Sequence, residues 1–207
     1  MYSAKTMSMR TRPRPTQAER SARTRAALLA AARELFAEKG FAQTGREEIA
    51  ERAGVTRGAL YHHFASKTDV AEAVVEELEA ELVDRVVAAA RPGKDSFDQL
   101  RRSCHAYFDA STEPAIARIL LTDAPAVLGL DKCRALSAES CARLLDTVLA
   151  NAAVEGVDIP GDIEVAASLL LGMLNEAAAL VASAPDPAKA RDRVSSTVDA
   201  FLAKFFG

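Results

Sequence analysis

Apolar positions along this chain recur three and four residues apart and nowhere alternate, the spacing of helices that bury one face. The first stripe is Leu28, Leu29, Ala32, Leu35 and Phe36, closed by Gly40, a residue favoured just past a helix C-terminus. It predicts a helix of about 16 residues from Arg23. A short second helix is expected over 46–52, with Glu47 and Glu48 in its first turn, where the positive end of the helix dipole favours carboxylates. Gly54-Val55-Thr56 makes a tight turn, Thr56 is placed as an N-cap, and a third helix over 57–64 follows at an angle to the second. Ser66 caps a long fourth helix over 67–90, whose Val70, Val74, Leu78, Leu82 and Val86 repeat every four residues until Pro92 and Gly93 stop it. Five more helices are expected over 96–110, 114–121, 132–154, 162–184 and 187–206, each bounded by Pro, Gly, Asp or a similar break. The fold class is therefore all-α, with the fourth helix long enough to join a small N-terminal three-helix module to a larger helical remainder.

Residues 1–22 lack this periodicity and carry Pro13 and Pro15, with five basic residues in the first twenty, so they read as a flexible basic arm. Charge sharpens the division. The chain of 207 residues has net charge −3, but residues 1–67 hold 13 Lys+Arg against 6 Asp+Glu, net +7, and residues 68–207 are net −10. The basic part suits a polyanion; the acidic part repels one and suits a protein subunit or a small ligand.

Other classes are disfavoured. Cys104, Cys133 and Cys141 form no CxxC pair, and an odd count argues against a secreted disulfide framework, so a cytoplasmic location is expected. Residues 1–22 have no apolar core of the roughly 7–15 residues that a secretory signal needs. The apolar run 163–184 is interrupted by Asn175 and Glu176 and reads as a buried protein helix, so no membrane partner is expected. There is no nucleophile elbow, phosphate-binding loop, paired catalytic carboxylates or metal-ligand set, hence no enzyme, cofactor or metal is expected. His62 and His63 are adjacent, and side chains of neighbouring helical residues point about 100° apart.

The run GFAQTGREEIAERAGVTRGALYHHFASK, residues 40–67, carries GF, then T, IA, AGV, a short helix, LY with HF, and SK in order. It resembles the signature of the TetR family of transcriptional regulators over about 45 residues. The resemblance implies a DNA-binding helix-turn-helix over 23–67, an effector-binding and dimerisation domain over 68–207, and a repressor that leaves a palindromic operator when a small, mostly apolar effector binds. It carries DNA contact to Thr44 and Arg46. Gly45 departs from the pattern, which has a second Thr or Ser there; glycine caps a helix but offers no hydroxyl to phosphate. From helix geometry alone, Thr56, Arg57, Gly58, Tyr61 and His62 occupy the start and outer face of the third helix. Arg57 is the candidate for base readout, since guanidinium pairs bidentately with guanine. Tyr61, His62 and Lys67 are candidates for phosphate.

Beyond residue 67 the resemblance implies a layout: a pocket among the middle helices and a homodimer interface on the last two. Polar groups inside apolar stripes mark pocket candidates: Leu100, Cys104, His105, Tyr107 and Phe108 on the fifth helix, Asp123, and Met173 and Asn175 on the next-to-last. Asp123 is an equally good cap for a helix starting near Pro125. Leu170, Leu174, Val181, Val194, Val198, Phe201 and Phe205 are the interface candidates, forming a four-helix bundle across a twofold axis. The expected partners are double-stranded DNA, a second copy and an unidentified small effector. The alternative is a DNA-binding regulator or architectural protein with no effector.

Overall fold

Thr16 and Glu19 begin the first helix reciprocally: the Thr16 hydroxyl accepts the Glu19 N–H at 3.2 Å and the Glu19 carboxylate accepts the Thr16 N–H at 2.6 Å. The computed structural model describes residues 16–137 and 141–205, the Phe205 side chain excepted, and α1 (Gln17–Gln43) starts six residues before the expected helix start at Arg23. Residues 17–22 therefore belong to a helix, not to the expected arm; residues 1–15 of that arm lie outside the described residues. The apolar stripe missed this turn because its side chains are exposed and bury nothing. Gly40, with φ 82°, breaks α1 near its end. A Cβ there would lie 2.7 Å from Nη2 of Arg118, whose guanidinium donates to the Glu38 carbonyl at 3.4 Å.

Next come α2 (Arg46–Arg52), α3 (Arg57–His63), α4 (Lys67–Ala90) and α5 (Ser96–Ser111). The helix expected over 114–121 is instead a wide π-helical segment, Ile116–Asp123, leading into α6 (Ala124–Leu128). The Ala124 N–H and the Thr122 hydroxyl both reach carbonyls five residues back, those of Ile119 and Ala117. Pro125 accounts for the loosened turn: in a regular α-helix it offers no N–H to Leu121 and its ring meets that carbonyl. Within the helix expected over 132–154, α7 (Leu130–Ser137) and α8 (Arg143–Val154) are described, residues 138–140 lying outside the described residues. Last are α9 (Ile163–Ala182), capped by Asp162, and α10 (Pro187–Phe205). No strand occurs among the described residues.

The buried side chains form two clusters. One joins α1, α2, α3 and α4 to Ile116, Ile119, Leu120 and Ala124; the other joins α5, α8, α9 and α10. The first cluster runs straight through residue 67, because Val70, Val74, Val75 and Leu78 of α4 complete the core of the three-helix module. Helix α9 is long and apolar enough to cross a membrane by length and composition. Here it packs against α5, α8, α10 and the π segment.

Gly40→Ala is expected to lower stability by about 1–3 kcal/mol, the cost of a Cβ at φ 82°, ψ 165°, a backbone region essentially confined to glycine. Urea unfolding should show a lower midpoint at unchanged slope.

Candidate nucleic-acid interface and helix-lined cavity

Helix α3 is sorted by face. Leu60 and the C-capping Phe64 lie in the core, while Thr56, Arg57, Gly58, Tyr61 and His62 are exposed. Thr56 caps the helix, its hydroxyl accepting the Ala59 N–H at 3.2 Å. Gly54, at φ 67°, makes the turn that sets α3 across α2. Around Gly58 the nearest heavy atom to an added Cβ is the Thr56 hydroxyl at 3.9 Å, so nothing within the chain requires glycine there. The Tyr61 hydroxyl donates to Glu47 Oε1 at 3.4 Å, and the Arg46 guanidinium lies 4.6 Å from the Tyr61 ring centre while donating to the Ala65 carbonyl at 3.0 Å. Glu47 is held below the usual carboxylate range, first by its own N–H at the start of α2, with the Arg57 and Arg46 charges and the Tyr61 hydroxyl acting the same way. Arg46 and Tyr61 thus form a braced pair beside Arg57.

Two expected contact residues face inward. Thr44 is 2% exposed, and its hydroxyl donates to the Gly40 carbonyl at 2.8 Å, where it closes the α1 break. The Lys67 ammonium donates to the carbonyls of Phe41 at 2.7 Å and Thr44 at 2.9 Å and lies 4.0 Å from the Phe41 ring centre. Burial pulls it below the ordinary lysine value. In this chain both side chains act as internal braces, donating to carbonyls around the Gly40 break and the end of α1. Gly45 caps α2 with no side-chain hydrogen bond. Of the other basic residues near α2, Lys39 is paired with Glu48, and Arg52 with Glu34 and Glu38.

Behind this module a cavity of about 60 Å³ lies among α4, α5, α7, α8 and α9. On the measure by which one water needs roughly 10–15 Å³, it is a small space. Of the sequence candidates, Leu100, Cys104, Tyr107 and Asn175 line it. The Tyr107 hydroxyl donates to Asn175 Oδ1 at 2.8 Å, and burial is the main cause that pushes the Tyr107 phenol and the Cys104 thiol, the latter to about 12, above their ordinary values. The other four candidates lie elsewhere. His105 Nε2 pairs with Asp199 of α10 at 2.9 Å; Phe108 is fully buried in the second core; Met173 faces an apolar groove along α9. Asp123 does not cap α6: its carboxylate accepts the Phe41 N–H at 2.8 Å, tying the π segment to the end of α1. Sequence reasoning missed Glu79 and Ser137, whose hydroxyl donates to Glu79 Oε1 at 3.2 Å at the cavity wall. The available signal was spacing, since Glu79 shares a stripe with Val75, Leu82 and Val86.

Among the interface candidates, Leu174, Val181 and Val198 are buried inside this chain, where α9 and α10 pack on α5 and the π segment. Leu170 and Val194 are half-buried against the second core, and Phe201 is 50% exposed. Among the described residues, the large apolar side chains left outward on these helices are Val165, Leu169, Leu180 and Phe201. Among the described residues no cluster of His, Cys, Asp and Glu is suited to a metal.

A helix-turn-helix with a bare recognition face, joined by one long helix to an all-helical body with its own cavity, defines a class of one-chain regulators. Comparison with known proteins gives the family. Residues 28–74 match the model of bacterial regulatory proteins of the tetR family, and residues 97–205 match a tetracyclin repressor-like C-terminal domain. The chain belongs to the TetR family. It is 41% identical over 85 residues to the transcriptional activator FasR of Mycolicibacterium smegmatis, covering 41% of this chain and 39% of that protein. It is 48% identical over 62 residues to the transcriptional repressor BepR of Brucella suis, covering 30% and 29%. These alignments span well under half of either relative. A TetR-family regulator from Pectobacterium atrosepticum is similar over nearly the whole length, with TM-score 0.79 and 35% identity, covering 93% of this chain and 98% of that one.

Lys67→Met should cost about 1–3 kcal/mol of stability, because it removes the donor shared by two carbonyls. Arg57→Ala should stay within about 0.5 kcal/mol. Thermal unfolding of the two variants checks the contrast between brace and exposed residue.

Proposed function

We propose that this chain is a dimeric, ligand-responsive DNA-binding repressor. The observation that carries the reading is the outer face of α3, where Arg57, Gly58 and His62 are exposed on a helix whose opposite side is core. Gly58 permits close approach of the backbone to a partner surface, and Arg57 at the helix start stands where guanidinium reads a guanine edge. Tyr61, steadied by Arg46, and His62 flank it as phosphate contacts. Thr56 serves first as the cap.

The effector enters the cavity beside α4. Because the space is small, entry forces the surrounding helices apart, and α4 carries Val70, Val74 and Leu78 of the recognition core with it. The Asp123 link to Phe41 gives the body a second hold on α1. In a dimer the two recognition helices must meet half-sites about one helical turn apart, so a shift of either weakens both contacts. Release on ligand binding gives the repressor sign. A second reading, DNA binding without an effector, is favoured by the same small volume; it predicts that no apolar probe alters operator affinity.

Selection from random duplexes should enrich a near-palindrome. Arg57→Ala should then cost about 1–3 kcal/mol, with relaxed preference at one position per half-site. Failure to enrich any sequence across a salt series would overturn the reading.

The second copy docks on Val165, Leu169, Leu180 and Phe201. Leu169→Glu should therefore halve the mass in sedimentation while leaving the helical signal intact. An unchanged mass would place the interface elsewhere.

A further inference from the structure

We propose that the cavity selects a cationic effector, an apolar amine whose charge is met by the Glu79 carboxylate; this rests on reading that cavity as the effector site. Glu79 is the one charged residue among the described residues lining it. Its neighbours on α4 are differently placed: Glu72 pairs with Lys132 at 2.7 Å, Glu81 with Arg33 at 2.7 Å, and Glu77 lies 3.9 Å from Arg25. Glu79 has no ion pair among the described residues, and its hydrogen bond there is the neutral one from Ser137.

The remaining polar groups point the same way. The Ser103 hydroxyl donates back to the Gln99 carbonyl at 2.9 Å, and the Tyr107 proton is committed to Asn175. The spare capacity is mostly acceptor: carboxylate oxygen on Glu79 and lone pairs on the hydroxyls, against the two N–H donors of the Asn175 amide nitrogen. Around them stand leucines and valines from four helices. A carboxylate facing an apolar space without a cation is costly, and burial raises the Glu79 carboxyl above its usual range. An ammonium group with an apolar body removes that cost and fills the space; an anion adds to it.

The test is calorimetric titration of the full chain, near neutral pH, with three probes of one shape: phenylbutylamine, phenylbutanol and phenylbutyrate. The amine should bind roughly tenfold or more tighter than the alcohol, about 1.4 kcal/mol, with the carboxylate weakest. Glu79→Gln should abolish that preference while holding the alcohol's affinity within about threefold. Equal or tighter binding of alcohol or carboxylate, or an amine preference that survives Glu79→Gln, overturns the assignment. The three-probe comparison on the unaltered chain decides the question even if Glu79→Gln does not fold. An alcohol that binds and releases operator DNA without any amine preference leaves the proposed function standing and removes only the cation. If no probe binds, the cavity is not the effector site and the assignment falls with it.

Discussion

Val70, Val74, Val75 and Leu78 leave water in the core that joins the three-helix module to the π segment and α6, while Leu82, Val83 and Val86, further along the same helix, border the cavity. Helix α4 is thus one continuous helix shared between the core of the three-helix module and the cavity-bearing body. Apolar burial is the larger force on it, at about 25 cal/mol per Å², and the polar contacts around it act mainly to fix its angle. Ser66 and Asp69 cap its start reciprocally, and Lys67, in its first turn, clamps the broken end of α1. Moving α4 therefore moves the platform of α3.

The π segment plays the complementary part. It touches α1, α4, α5 and α9, and its wide turns leave weaker backbone bonding than a regular helix would give. Arg118 over Gly40 and Asp123 on the Phe41 N–H hold the α1 end from outside, just as Thr44 and Lys67 hold it from within. The break at Gly40 is thus fixed from both sides by side chains drawn from distant parts of the sequence.

Much of this fold was legible in the sequence, because the relevant signals are local. Caps at Thr56 and Ser66, glycines at 40 and 54, and the four-residue repeat of α4 act over one or two turns. What escaped depended on partners far along the chain. Thr44 and Lys67 look like ordinary surface residues until the carbonyls exposed by the Gly40 break are known. His105 joins a stripe with Cys104 and Tyr107, yet rotates toward Asp199, ninety-four residues away. Glu79 sits among five other acidic residues of α4 between 72 and 84, and only the arrival of α5 and α9 distinguishes it from its solvated neighbours. Burial of the dimer candidates Leu174 and Val181 within the chain was hidden for the opposite reason: a helix apolar nearly all round gives no hint of which side its own chain will cover.

The small volume of the cavity bears on the sensitivity of the proposed effector response. A site with little room when empty admits ligand in proportion to the fraction of molecules already open, and the apparent dissociation constant is the intrinsic one divided by that fraction. Under the proposed function, detection would be governed by the ease of parting α4 from α5 as much as by fit within the opened site. If the cavity is the effector site proposed above, changes in the packing between these helices, remote from any ligand atom, would reset the concentration needed for a response while leaving the chemical preference as it was.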